Sequence, residues 1–199
     1  MKKQSYSEAV PAGISSPIPL TFLVQAAMIA AIYVVLTLLA NALGLANYVI
    51  QVRFSEALTI LPFFTPAAIP GLFVGCVLSN ILTGCMPLDI VFGSLATLLG
   101  AFGTYIIGKI SRLNAPAAKS RLESHKKISL YPMLAPLPSI LSNTLIVPFI
   151  LAYVYQFEGS IPYFMLTVGA GEVISCGFFG LLLLSSLEKR KRIFSQKEF

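Results

Sequence analysis

Charge is scarce in this sequence. Only 11% of its 199 residues are Asp, Glu, Lys or Arg, against about 25% in a soluble domain, while 56% are hydrophobic. A chain this poor in charge cannot cover its own surface in water, which excludes an ordinary soluble fold. Tryptophan is absent and there is one histidine, His125. Without a second imidazole, and with that one in a polar basic stretch, a Ser/His intramembrane protease is excluded. The three cysteines, Cys76, Cys85 and Cys176, form no CxxC pair. They read as small apolar filler rather than a disulfide or metal framework. No His/Cys/Asp cluster has metal-ligand spacing, so no metal and no cofactor are expected. No GxxxxGK[ST] occurs, so the chain has no P-loop for ATP. Neither an inverted repeat nor a charged inner exit path supports an autonomous secondary transporter.

The charge that is present is segregated. Of the 14 Lys and Arg residues, all but Arg53 lie in stretches 2–3, 109–127 and 189–197. Lys and Arg cluster on the cytoplasmic side of membrane proteins, and this bias accounts for the net charge of +6 without nucleic-acid binding. Between the basic stretches, long apolar segments hold isolated polar groups: Glu56, Asn80, Asp89, Asn143 and Glu172. Ionisable groups inside apolar segments are costly and tend to be functional.

Residues 20–44, 88–110, 130–155 and 161–187 are each long enough to cross a bilayer, which takes about 20 residues. The first is too long for a signal-peptide core and reads as a retained anchor. Residues 54–84 are ambiguous, too long for one helix and interrupted by Pro62, Pro66 and Pro70. If stretches 2–3 and 109–127 are both cytoplasmic, an even number of crossings separates them. Residues 54–84 then cross twice, as helices 54–64 and 67–84, with Pro66 at the turn. The expectation is an all-α, polytopic bundle of six transmembrane helices with both termini cytoplasmic. It comprises an N-terminal tail (1–19), a membrane domain (20–187) and a basic tail (188–199). The short helix 54–64 must be buried among neighbours, because unpaired backbone cannot face lipid.

This topology places every isolated polar group in the outer half of the bundle. Arg53 and Glu56 lie at the outer end of the second helix, Asn80 near the outer end of the third, and Asp89 at the outer start of the fourth. Asn143 and Glu172 both fall roughly 16–18 Å below the outer surface at 1.5 Å per residue. Structural roles compete with ligand binding: an i,i+3 pair for Arg53 and Glu56, an N-terminal cap for Asp89, interhelical glue for Asn80 and Asn143. Glu172 points most strongly to a ligand, since a mid-membrane carboxylate costs about 2.5–3.5 kcal/mol or more. Small residues recur at four-residue spacing, a pattern that lets helix backbones approach. They are Ala26/Ala30 and Ala27/Ala31, then Gly71, Gly75 and Ser79, then Ala96, Gly100, Thr104 and Gly108.

The run Gln51-Val-Arg-Phe-Ser-Glu-Ala-Leu58, followed by Leu61-Pro-Phe-Phe-Thr-Pro-Ala-Ala-Ile-Pro-Gly71, Gly75-Cys76, Asn80, Gly84, Asp89 and Val91-Phe-Gly-Ser-Leu-Ala-Thr97, resembles the QueT family. These are queuosine-precursor substrate-binding (S) components of energy-coupling factor (ECF) transporters, a class of ABC importer. The resemblance implies a multi-pass protein of a bacterial cell membrane with an outward-facing pocket. It also implies a transmembrane scaffold (T) subunit and two ATPase subunits as partners, so ATP hydrolysis would reside there and this chain would not be an enzyme. The block Ala26-Ala27-Met28-Ile29-Ala30-Ala31 resembles the alanine motif with which the first helix of such proteins meets the scaffold. The implied ligands are 7-deazaguanines such as preQ0, preQ1 or queuine.

From the chemistry of such ligands, a buried carboxylate, Glu172 or Glu56, is expected to accept the two adjacent donors of the guanine-like edge, because charge-assisted bidentate bonds are strong and specific. Asn80 or Asn143 would serve the remaining ring groups. Asp89 or the second glutamate would receive a cationic substituent. Phe54, Phe92, Tyr48 or Tyr163 would stack on the ring. Gln51 and Arg53 complete the candidate substrate-binding set. The competing readings are an S component for another vitamin-like molecule and a structural membrane protein whose polar groups only hold helices together.

Overall fold

The computed structural model describes residues 18–45, 52–114 and 130–188. The basic tails, the loop with His125, and the candidate residues Gln51 and Tyr48 lie outside them. Among the described residues all regular structure is helical. The order is α1 (Leu20–Ala42), a 3₁₀ helix (Phe54–Phe63), α2 (Ala68–Leu82), α3 (Pro87–Leu113), the single turn α4 (Tyr131–Leu134), α5 (Leu137–Tyr153) and α6 (Ile161–Glu172). The last rod continues without a break through a π-helical segment (Val173–Phe179) into α7 (Gly180–Glu188). Six helical rods result, four of them long and apolar enough to cross a membrane.

The interrupted stretch folds as its prolines dictate. Pro66 sits in the turn between the 3₁₀ helix and α2, and Pro62 lies inside the former. The 3₁₀ form also makes the rod longer for its residue count. Ten residues rise about 20 Å at 2.0 Å each, where an α-helix would reach only about 15 Å. This rod packs against α1, α2, α3, α7 and the π segment. It is therefore the central element of the fold. Gly108 of α3 lies so close to its end that a Cβ there would fall 2.5 Å from the Phe63 carbonyl oxygen. The Arg112 guanidinium donates to that same oxygen at 2.7 Å, where a cation suits a helix C-terminus.

Small residues set the remaining packing. A Cβ on Gly71 would meet the Ala26 carbonyl oxygen at 2.7 Å, and one on Gly75 would meet Tyr33 Cβ at 2.8 Å. The α1–α2 contact is thus backbone against backbone. On the other side, α3 carries Gly100, where a Cβ would come within 2.7 Å of Ser139 on α5. Thr104 Oγ1 donates to the Ala135 carbonyl at 2.9 Å, in the break between α4 and α5. The alanines of α1 consequently divide: Ala26 and Ala30 are buried against α2, while Ala27 and Ala31 are exposed. The expected partner face retains only the second pair.

Candidate functional site

The isolated polar groups of the sequence meet at one place. A cavity of about 250 Å³ is lined by Thr37 and Asn41 of α1, by Arg53 just before the 3₁₀ helix, by Asn80 of α2 and Thr83 just after it, by Asp89 of α3, by Ile150 and Leu151 of α5, and by Tyr155 and Phe157 of the α5–α6 loop. A second space of about 20 Å³, lined by Glu56, Gly93, Thr97, Asn143, Val168 and Glu172, adjoins it, because Arg53, Asp89 and Val147 line both. A wide vestibule therefore leads to a narrow acidic end. Its volume falls just below the roughly 300–1,000 Å³ of clefts for drug-sized ligands, so it suits a smaller molecule.

The acidic end is built by three elements. Glu56, 2% exposed, projects from the first turn of the 3₁₀ helix, and Glu172, 8% exposed, closes α6. The Asn143 amide on α5 lies between them, donating to Glu172 Oε1 at 3.1 Å and, at 3.4 Å, to Glu56 Oε2. The common depth expected for Asn143 and Glu172 thus takes the form of a hydrogen bond. Tyr33 of α1 donates to Glu56 Oε1 at 2.5 Å, and Cys176 of the π segment donates to Glu172 Oε2 at 3.1 Å. All four carboxylate oxygens have a donor from a different side chain or share one, as buried acids require.

The π segment positions part of this network. π-helical turns frequently mark functional sites. Here the segment holds Cys176 one turn after Glu172, and its Ser175 hydroxyl accepts the Arg53 backbone N–H at 3.1 Å. Cys176, expected as apolar filler, instead exchanges hydrogen bonds with Glu172, with the Glu56 carbonyl and with Thr59. The ligand atoms of Glu56, Glu172 and Cys176 lie within 4.8 Å of one another and could hold a metal ion. Sequence spacing could not reveal this, since the first donor is over a hundred positions from the others. The donor set fits a metal poorly. Its oxygens are already engaged by a phenol, an amide and a thiol, and the Arg53 guanidinium interacts electrostatically with Glu56. Each oxygen already accepts one O–H, N–H or S–H donor and keeps a lone pair for another donor rather than a ligand position for a cation.

Six of the candidate residues converge: Arg53, Glu56, Asn80, Asp89, Asn143 and Glu172. Phe92 does not. It is 46% exposed on the outside of α3 and lines neither space. Asp89, Gly93 and Thr97, four residues apart, face inward, and one residue further along a helix turns the side chain by about 100°. Tyr163 is also exposed, and Phe54 packs edge-on against Phe179 with centroids 5.7 Å apart. The aromatic wall comes instead from Tyr155 and Phe157, whose rings stack at 5.7 Å and 28°. Burial, with Asp89 accepting its proton, holds the Tyr155 phenol above its ordinary pKa, so it remains a donor. Sequence reasoning also missed Tyr33, Thr37 and Asn41. The polar positions in the first helix, spaced at four, were the available signal.

Comparison with known proteins supplies the remaining facts. The family model described as QueT transporter matches residues 23–189. The protein described as "Queuosine precursor transporter QueT" from Lactococcus lactis subsp. cremoris (strain MG1363) is 35% identical over 77 residues. That match covers 39% of this chain and 45% of the relative, so it spans less than half of the relative's length. No solved structure matches the chain.

Proposed function

Because the chain belongs to the QueT transporter family, we propose that it is the substrate-capture (S) component of an ECF-type importer, and that it binds a 7-deazaguanine precursor of queuosine from outside the cell. The observation that carries this reading is the pair Glu56–Glu172, bridged by Asn143 at the closed end of a small cavity with an aromatic wall. A guanine-like edge presents two adjacent N–H donors. A carboxylate can accept both, and such bidentate, charge-assisted bonds are strong and directional. The planar ring then lies toward Tyr155 and Phe157, and the far edge of the ring reaches Asp89 and Asn80.

The chain carries no P-loop motif, so in this reading the driving force comes from two ATPase subunits coupled through a scaffold subunit. The chain itself captures and does not catalyse. The exposed alanines Ala27 and Ala31 of α1 are the face offered to the scaffold. Tyr33 lies further along the same helix and holds Glu56, so contact at that face and occupancy of the pocket act on one rigid element.

Uptake of a labelled 7-deazaguanine by cells that lack their own route tests the reading. It predicts uptake only when this chain, the scaffold and both ATPases are present together. Uptake by this chain alone in liposomes, driven by an ion gradient, contradicts it. A thermal-shift screen in which vitamins stabilise the chain and deazaguanines do not would reassign the ligand.

A further inference from the structure

The mouth of the cavity holds a hydrogen bond of a different kind from those at its closed end. The donors around Glu56 and Glu172 belong to α1, α5 and the π segment, all parts of the helical body. The donor on Asp89 belongs to a loop. Tyr155, half-buried between α5 and α6, gives its phenol proton to Asp89 Oδ2 at 2.8 Å and accepts the Met86 backbone N–H at 3.2 Å. The chain turns back directly after it. Gln156 has a φ of 53°, a left-handed conformation uncommon outside glycine, asparagine and aspartate, and this brings Phe157 against the Tyr155 ring. Phe157 is 54% exposed. The pair is an aromatic flap at the entrance rather than a core contact.

Asp89 stands where the two spaces join. Its other oxygen, Oδ1, faces Gly93, where a Cβ would come within 3.1 Å of it and 3.5 Å of Asn80 Nδ2. The missing side chain at Gly93 keeps the approach to this carboxylate open from within the cavity. One oxygen of Asp89 is thus held by a loop tyrosine at the entrance and the other lies on the cavity side, with the Arg53 guanidinium as the cation that Asp89 already faces across both spaces.

We propose that Tyr155 is a specificity-determining residue, a stand-in donor that occupies Asp89 Oδ2 in the empty site and yields it to a donor carried by the ligand. The ligand class this selects is a flat heteroaromatic that lies in the larger space, its donor-rich edge facing the Glu56–Glu172 end and its opposite edge bearing an ammonium or other N–H group. The exchange conserves hydrogen bonds: the ligand N–H replaces the phenol on Asp89, and the phenol turns to water at the mouth. The inference rests on the 7-deazaguanine reading above and narrows it to members with a donor on the substituent at position 7.

The test titrates 7-aminomethyl-7-deazaguanine and unsubstituted 7-deazaguanine into the purified full chain, its Asp89→Asn variant and its Tyr155→Phe variant. The substituted compound should lose at least about tenfold in affinity with Asp89→Asn, and the unsubstituted one less than about threefold. Tyr155→Phe should favour the substituted compound over the other by about threefold or more, because Asp89 has then lost its competing partner. A purely structural Tyr155–Asp89 tie would shift both compounds by one factor in both variants, and that result overturns the proposal. If the wild-type chain binds neither compound, the deazaguanine reading falls and this inference with it; if it binds both with an unaltered ratio in the variants, only the inference falls.

Discussion

Tyr33 reaches from the middle of α1 to Glu56, 23 positions along the chain, and donates its phenol proton to Oε1 at 2.5 Å. Both residues are almost wholly buried, at 1% and 2% exposure. Leaving a buried acceptor without its donor costs about 1–3 kcal/mol, and more for a charged one. Tyr33→Phe should therefore destabilise the chain by about 1–3 kcal/mol, seen as an earlier unfolding midpoint in detergent or nanodiscs. Unchanged stability would mean that Glu56 finds another partner.

Asn143 is the bridge between the two glutamates, with one amide nitrogen serving both. Replacing it by leucine keeps the volume and removes both donors. Asn143→Leu is expected to weaken deazaguanine binding at least about tenfold, equivalent to about 1.4 kcal/mol. Asn143→Gln should be milder, since its amide can still reach one carboxyl. Calorimetric titration separates the two. Equal affinity of the leucine variant and the wild type would remove Asn143 from the site.

The two faces of α1 should respond differently to bulk. Gly71→Leu and Gly75→Leu would drive a side chain into the α1 backbone at Ala26 and Ala30. Overpacking of that kind costs about 1–3 kcal/mol. Ala27→Leu and Ala31→Leu sit on the exposed face and should leave both stability and ligand binding near wild type. In our reading they would instead abolish co-purification with the scaffold subunit. Full assembly of the Ala27/Ala31 double variant would place the partner elsewhere.

Much of this was legible in the sequence, and the misses have physical causes. The placement of Lys and Arg, with the span lengths, implied six helices including a short one after Arg53. That this rod is 3₁₀ was not legible, because propensity gives helix or no helix and does not set the pitch. The convergence of Glu56, Asn143 and Glu172 could be anticipated from depth alone, since charge in an apolar segment must find partners. Rotation about the helix axis could not. Phe92 lies one residue from the inward-facing Gly93 and so looks outward. The stacking aromatics belong to a loop, where apolar periodicity carries no signal. The π segment was likewise hidden, because its sequence reads as uninterrupted helix.

The central claim is that a carboxylate pair at the closed end of the cavity reads the ligand's donor edge. Isothermal titration of 7-aminomethyl-7-deazaguanine into the purified chain, with Glu56→Gln and Glu172→Gln, tests it most directly. We predict that wild type binds and that at least one of the two variants loses about tenfold or more, since a neutral amide cannot replace a charge-assisted bidentate acceptor. Wild-type affinity in both variants would contradict the account.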